Sequence, residues 1–196
     1  MIVVAIVCAA AMSQAAAVTW GSGAITQADS TGKFSSTAMA SGSGSLYRID
    51  STFYNTWIGT LTAATTLQAQ QEAMSNLKTA LEGKSVIASG SLNKGAISLK
   101  DPTDISSASG SNPIDIYAAM IFTYTDANDK EWFIADVGKY TAVANANKPV
   151  SDMGITFGGP SGTTAIQGWA TAVPEPTSGL LLLLGVAGLA LRRRRA

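Results

Sequence analysis

The chain has 196 residues, with 13 Lys and Arg, 13 Asp and Glu, one cysteine and no histidine. This length is typical of one domain, or one and a half. The absence of histidine excludes His-based catalytic triads, proton shuttles and His-ligated zinc sites. Residues 18–172 carry nine basic and twelve acidic residues, which argues against the basic face that a nucleic-acid-binding protein needs.

The first 17 residues are typical of a cleavable signal peptide. Ile2–Ala11 is an unbroken apolar run of the length of a signal-peptide core, too short for a membrane span. Ala15 and Ala17 supply the A-x-A pattern of small residues at which signal peptidase cuts. Cleavage after Ala17 removes Cys8, the single cysteine, so the mature chain is expected to have no thiol and no disulfide. A buried first strand or helix is the alternative.

The body, residues 18–172, is predicted to be mainly β, an antiparallel sandwich or roll with one amphipathic helix. Short strand-like stretches alternate with Gly- and Ser-rich turns, as in antiparallel folds. The stretches are residues 17–25, 46–53, 86–88, 96–99, 116–125, 130–137 and 163–169, with a weak strand after residue 140. The best hairpin joins 116–125 to 130–137.

The amphipathic helix is predicted near residues 62–82. Four apolar residues recur there at spacings of seven, three and four: Leu67, Met74, Leu77 and Leu81. These spacings place them on one helical face, and Gly83 is suited to the left-handed conformation that ends many helices. Residues 28–45 are rich in Ser and Gly and contain a flexible run at 41–45. Residues 101–113 are predicted to be a loop.

The body contains few candidates for a catalytic or metal-binding site. The oxygen-rich sequence 126–131 suggests a calcium loop, but it lacks the Gly and Glu that an EF-hand needs at its sixth and twelfth positions, so a hairpin turn is favoured. Asp101 and Asp104 are candidates for a catalytic carboxylate pair, with solvated loop acids favoured instead. Three Ser-x-x-Lys sequences have no accompanying S-D-N or K-T-G motif.

Eight aromatic residues are candidates for stacking on sugar rings. They are Trp20, Trp57, Trp132, Trp169, Tyr47, Tyr54, Tyr117 and Tyr124. Core packing is favoured, because aromatic residues on alternating strands are usually buried. No catalytic motif, cofactor motif or metal-ligand set is present, so the body is predicted to be non-enzymatic. A secreted carboxylate-dependent glycan hydrolase or lyase is the alternative.

The C-terminal residues 173–196 combine three parts in a fixed order. Pro174-Glu175-Pro176 is held extended, because each proline fixes its own φ and disfavours a helical conformation for the residue before it. An apolar run follows, with a transmembrane helix predicted at 178–191, of which the strictly apolar part spans about 18 Å against a hydrocarbon core of roughly 30 Å. A terminal Arg cluster then stays in the cytoplasm, which leaves the body outside.

The predicted membrane anchor comprises Leu180, Leu181, Leu182, Leu183, Leu184, Gly185, Val186, Ala187, Gly188, Leu189, Ala190 and Leu191. The predicted cytoplasmic retention signal comprises Arg192, Arg193, Arg194 and Arg195. Gly185 and Gly188 lower helix stability and allow close helix contact, which suits a temporary anchor better than a permanent one.

This order of tripeptide, short apolar span and Arg cluster resembles the PEP-CTERM sorting signal of exported proteins in Gram-negative bacteria that make exopolysaccharide. The resemblance covers residues 173–196, about an eighth of the chain. It implies that exosortase, an integral-membrane enzyme resembling cysteine proteases, recognises Pro174, Glu175 and Pro176 and cuts near them. An ordinary single-span tail anchor is the alternative.

The resemblance also implies a location and partners. The precursor is expected in the inner membrane with its body in the periplasm, and the processed body at the cell surface or in the extracellular matrix. Signal peptidase and exosortase are the expected processing enzymes. Exopolysaccharide is a candidate partner of the body, and nucleic acid is not.

Overall fold

The computed structural model describes residues 18–22, 24–93, 95–105, 107–143, 153–154 and 166–171. The predicted signal peptide with Ala15 and Ala17, the tripeptide Pro174–Pro176, the membrane helix and the Arg cluster all lie outside these residues. Within the described ranges, neither helix is long and apolar enough to cross a bilayer.

The described ranges contain ten strands and two helices. In chain order the elements are β1 (Val18–Gly21), β2 (Thr26–Ala28), β3 (Phe34–Ala38), β4 (Ser43–Arg48), α1 (Ser51–Ala63), α2 (Leu67–Leu81), β5 (Val86–Ser91), β6 (Ser98–Asp101), β7 (Ile114–Thr125), β8 (Glu131–Ala142), β9 (Met153–Gly154) and β10 (Ala170–Thr171). The strands form a five-stranded sheet in the order β10-β8-β7-β4-β5, a three-stranded sheet β6-β1-β9 and the pair β2-β3. The prediction of a mainly β body is confirmed.

The β7–β8 hairpin is the centre of the large sheet. Its strands pair antiparallel over their full length of 12 residues each. Residues 116–122 and 132–135 are continuously apolar, as in strands that are covered on both faces. Tyr117 contacts Tyr54 of α1, with ring centroids 5.4 Å apart. Phe122 points to the opposite face and contacts Trp169, with centroids 5.8 Å apart. The predicted hairpin is confirmed.

Different layers cover the two faces of the five-stranded sheet. α1 contacts β7 and β8 on one face, and α2 contacts β8 and β10. On the other face the smaller sheet approaches at two glycines: a Cβ added at Gly44 would lie 2.3 Å from Ile97 Cδ1, and one added at Gly90 would lie 2.9 Å from Leu99 Cδ2. The two sheets therefore pack face to face, and the helices add a third layer.

The predicted helix is confirmed as α2, with a later start than residue 62. Thr66 caps its N-terminus by accepting a hydrogen bond from the Ala69 N–H at 3.2 Å, which satisfies one of the free donors of the first turn. Four of its buried residues are Ala73, Met74, Leu77 and Leu81. The glycine expected to end it, Gly83, has a φ of +82°.

Helix α1 corrects the prediction of a strand over residues 46–53. The strand ends at Arg48, and Asp50 accepts a hydrogen bond from the Phe53 N–H at 2.8 Å, which caps a new helix. The stretch at 28–45 is also more ordered than predicted, because Phe34–Ala38 forms β3 and β4 begins at Ser43.

Replacing Gly59 with Ala is expected to stabilise the protein by about 0.5–1 kcal/mol. Gly59 lies in the interior of α1, and a Cβ added there would have no neighbour within 4 Å. Alanine therefore gains helix propensity without a clash. Thermal unfolding of the purified protein, followed by circular dichroism, should show a higher Tm than wild type, and a lower Tm would contradict this account of α1.

Candidate functional site at the C-terminal junction

The described body ends in residues 166–171, here called the C-terminal latch, directly before the predicted sorting signal. Ala170 pairs with Phe133 and Thr171 with Trp132, so β10 extends the large sheet at its β8 edge. Ile166, Trp169 and Ala170 are each at most 4% exposed. The last residues of a domain are poorly ordered unless contacts of this kind hold them, so the latch is an integral part of the body.

Trp169 is the centre of the latch. Its side chain is fully buried against three rings, with centroid distances of 6.1 Å to Phe34, 5.8 Å to Phe122 and 4.7 Å to Tyr124. The indole Nε1 donates a hydrogen bond to the Thr26 carbonyl oxygen at 3.0 Å, which satisfies its one polar atom. One side chain thus contacts β2, β3 and β7.

The backbone of the latch is also fixed by its neighbours. The Trp169 N–H donates to the Gly32 carbonyl oxygen at 2.6 Å, and Gln71 Nε2 donates to the Trp169 carbonyl oxygen at 2.8 Å. The Gln167 N–H donates to Gln70 Oε1 at 2.7 Å. Two glutamines of α2 therefore hydrogen-bond the latch backbone.

Gly168 marks a close approach of two backbone segments. A Cβ there would lie 2.2 Å from the Gly32 carbonyl oxygen and 3.0 Å from Leu67 Cδ1. Since the nearest atom belongs to the backbone, it cannot move aside as a flexible side chain would, and the position requires glycine. Neither Gly168 nor Trp169 was identifiable as part of a junction from the sequence, where a Gly-Trp pair has no distinguishing pattern.

An open depression of about 410 Å³ adjoins Thr171. Its lining consists of Gln68, Gln71, Glu72, Ser75, Asn76, Ala170 and Thr171. Gln68 Nε2 donates to Glu72 Oε1 at 3.2 Å, and Ser75 Oγ donates to the Gln71 carbonyl oxygen at 2.8 Å. The α2 side chains that line this depression beside Thr171 are therefore polar. We name Gln68, Glu72, Ser75 and Asn76 the exit face, because the chain leaves the described body at Thr171.

The eight aromatic candidates divide into two groups. Trp20, Trp132, Trp169 and Tyr124 are each at most 5% exposed, which confirms core packing for these four. The other four, Trp57, Tyr47, Tyr54 and Tyr117, are half-buried. Among them, Tyr54 and Tyr117 contact each other, so part of each ring is already covered.

Asp101 is a buried structural carboxylate, so the prediction of a solvated loop acid is wrong for it. It is fully buried, and its Oδ1 lies 2.8 Å from Arg48 Nη2. It also accepts hydrogen bonds from Trp20 Nε1 at 3.2 Å and from the Thr103 N–H at 2.9 Å. Buried charges persist in proteins when they are paired and hydrogen-bonded in this way. Asp104, its predicted companion, is exposed.

Asp126 confirms the hairpin-turn interpretation of residues 126–131. Its Oδ1 accepts from the N–H groups of Asn128 and Lys130 at 2.8 and 3.1 Å, and its Oδ2 accepts from Trp132 Nε1 at 2.9 Å. The Trp132 bond, followed by the backbone bonds, lowers the pKa of Asp126 below its ordinary value. In the described ranges, no three His, Cys, Asp or Glu side chains are grouped so that they could hold a metal ion.

Trp169→Ala is expected to destabilise the protein by about 3–5 kcal/mol, because it removes a fully buried indole and leaves a cavity. Trp57→Ala is the matched control, since Trp57 is half-buried on α1 and its loss should cost clearly less. Urea unfolding of the full chain provides both free energies of unfolding. If both variants lost the same free energy of unfolding, Trp169 would stabilise the protein no more than the half-buried Trp57 does.

The lowered pKa of Asp126 gives a pH prediction. Hydrogen bonds that favour the carboxylate contribute fully above the ordinary pKa of about 4, and this contribution is lost as the pH falls through the lower pKa of the folded state. Asn at this position keeps an acceptor oxygen without the charge. The Tm difference between wild type and Asp126→Asn should therefore be largest near neutral pH and shrink towards pH 3. A difference that does not change with pH would argue against charge-assisted bonds in this turn.

Comparison with known proteins bears on the segment after the latch. Residues 172–195 match the family model of the PEP-CTERM protein-sorting motif. The chain therefore carries this motif, which supports export, handling by exosortase and processing in association with the membrane. No curated protein and no solved structure matches the chain. The motif begins at the residue after Thr171, where the latch ends.

Proposed function

We propose that this chain is a non-enzymatic surface or matrix protein, held at the inner membrane until exosortase reads Pro174, Glu175 and Pro176. The single observation that carries the proposal is the sorting motif at residues 172–195. Arg192–Arg195 retain the tail in the cytoplasm, and the body lies in the periplasm. Processing then releases the body or transfers it to the cell surface.

Chain length limits how far the body lies from the bilayer. Three residue steps separate Thr171 from Pro174, and nine separate it from Leu180. A fully extended chain spans at most about 3.3–3.6 Å per residue, so these distances are at most about 10 Å and about 30 Å. The precursor therefore presents a folded body close to the membrane, with little free chain between the body and the tripeptide.

The position of the latch supports processing without unfolding. A cut near the tripeptide falls on the C-terminal side of Trp169, so the product keeps the buried indole and the β10 pairing. A cut before Trp169 would remove them. The cleavage that the sorting motif implies is therefore compatible with a stable released body.

The body supports a binding or structural role better than catalysis. Asp101 is paired with Arg48, and Asp126 accepts three hydrogen bonds within its own hairpin, so neither carboxylate is arranged as a general acid. We also propose that the body associates with exopolysaccharide at the cell surface. This is supported by the resemblance of the tail to the sorting signal of exported proteins in bacteria that make exopolysaccharide.

Replacing Pro174, Glu175 and Pro176 together with Ala is expected to block processing, because the stiff extended segment that the enzyme binds is lost. The variant should stay in the inner-membrane fraction with Arg192–Arg195 attached, whereas wild type should lose its tail. Fractionation followed by intact-mass measurement tests this. Pro113→Ala, at an exposed body proline, is the control and should be processed normally. Wild-type processing of the triple variant would refute the recognition of the tripeptide.

A further inference from the structure

We propose that the exit face of α2 (Gln68, Glu72, Ser75 and Asn76) is the surface that the processing enzyme contacts while it holds the tripeptide. This inference rests on the proposed function and adds the place on the body where its partner docks. It follows from three features of the junction: the short chain after Thr171, the fixed position of the latch, and the chemistry of α2 beside it.

The tripeptide can reach only a short distance from the body. Thr171 is paired with Trp132 in the sheet, and only Ala172 and Val173 lie between Thr171 and Pro174. Pro174 is therefore within about 10 Å of Thr171. A protein that binds Pro174–Pro176 in a groove is far larger than this gap, so it must touch the body next to Thr171.

The latch stays in place while the enzyme binds the tripeptide. Detaching the latch (residues 166–171) to lengthen the free chain would expose the fully buried Trp169 and break its hydrogen bonds to Gly32 and Thr26. It would also break the bond from Gln71. The tripeptide is therefore read with the latch closed, and the enzyme meets the folded surface.

The exit face is the surface that the enzyme meets, and its side chains indicate the chemistry of the matching surface. Thr171 lines the same depression as the exit face, so these α2 side chains are the body's surface at the point of exit. They offer two amides, a hydroxyl and one carboxylate, that of Glu72. The matching surface is the polar extracytoplasmic rim of a membrane enzyme, with hydrogen-bond donors and acceptors facing these groups.

The experiment adds bulk to the exit face of the full chain in cells. Gln68 and Asn76 are exposed, and Gln68→Trp with Asn76→Trp should slow tail removal by at least about five-fold, the effect of losing roughly 1 kcal/mol of contact. Asn55→Trp, at an exposed position of α1, is the matched control and should be processed at the wild-type rate. Pulse–chase labelling measures the rates, and Tm values check that all variants fold.

A second set of variants, with a flexible linker inserted before the tripeptide, distinguishes a lost contact with the enzyme from a damaged fold. Inserting about twelve Gly and Ser residues between Ala172 and Val173 adds roughly 20 Å of mean reach. With the linker present, the exit-face variant should be processed as fast as the control. Equal rates without the linker, or slow processing that the linker does not rescue, would overturn the docking surface. Failure of the Pro174–Pro176 substitution to block processing would instead overturn the proposed function.

Discussion

The burial of Trp169 is the interaction on which the junction depends. Its ring packs on Phe34 and Tyr124, and its indole nitrogen is bonded to Thr26. The last described strand pairs with β8 over only two residues, and this pairing alone would hold it weakly. With the contacts of Trp169, the fold holds the chain as far as Thr171, the last described residue, and the sorting motif begins at the next residue.

The elements that the sequence predicted correctly are those whose pattern is local. The apolar residues of α2 recur at helical spacing, and the β7–β8 hairpin has long apolar strands and a polar turn. Helix α1 was missed because its apolar residues Phe53, Trp57 and Leu61 are mixed with four threonines and Gly59, all weak helix formers. Packing on β7 and β8 compensates for that weak propensity, and such packing is not visible in a linear sequence.

The candidate site also combines a local pattern, which is visible in the sequence, with contacts between distant residues, which are not. The sorting motif is linear, so its tripeptide, apolar run and Arg cluster are all legible from the sequence. The latch is not, because the hydrogen-bond partners of Trp169 are distant in the chain, and Thr26 lies 143 residues before it. Asp101 was misjudged for a related reason: its ion-pair partner Arg48 is 53 residues away, and the surrounding Ser, Asp and Pro residues suggested an exposed loop.

The residues that hold the latch in the fold and the residues of the sorting motif occupy separate parts of the chain. The contacts described for the latch are made to residues between Thr26 and Phe133, all on the N-terminal side of the tripeptide. Removing the tail beyond the tripeptide leaves every one of these contacts in place. The folded body and the sorting motif are nevertheless adjacent in the chain. Because buried Trp169 fixes the position of the latch, it also limits where the tripeptide can lie. A sorting enzyme acting on this chain therefore works against a defined protein surface, and the polar side of α2 becomes part of what it encounters.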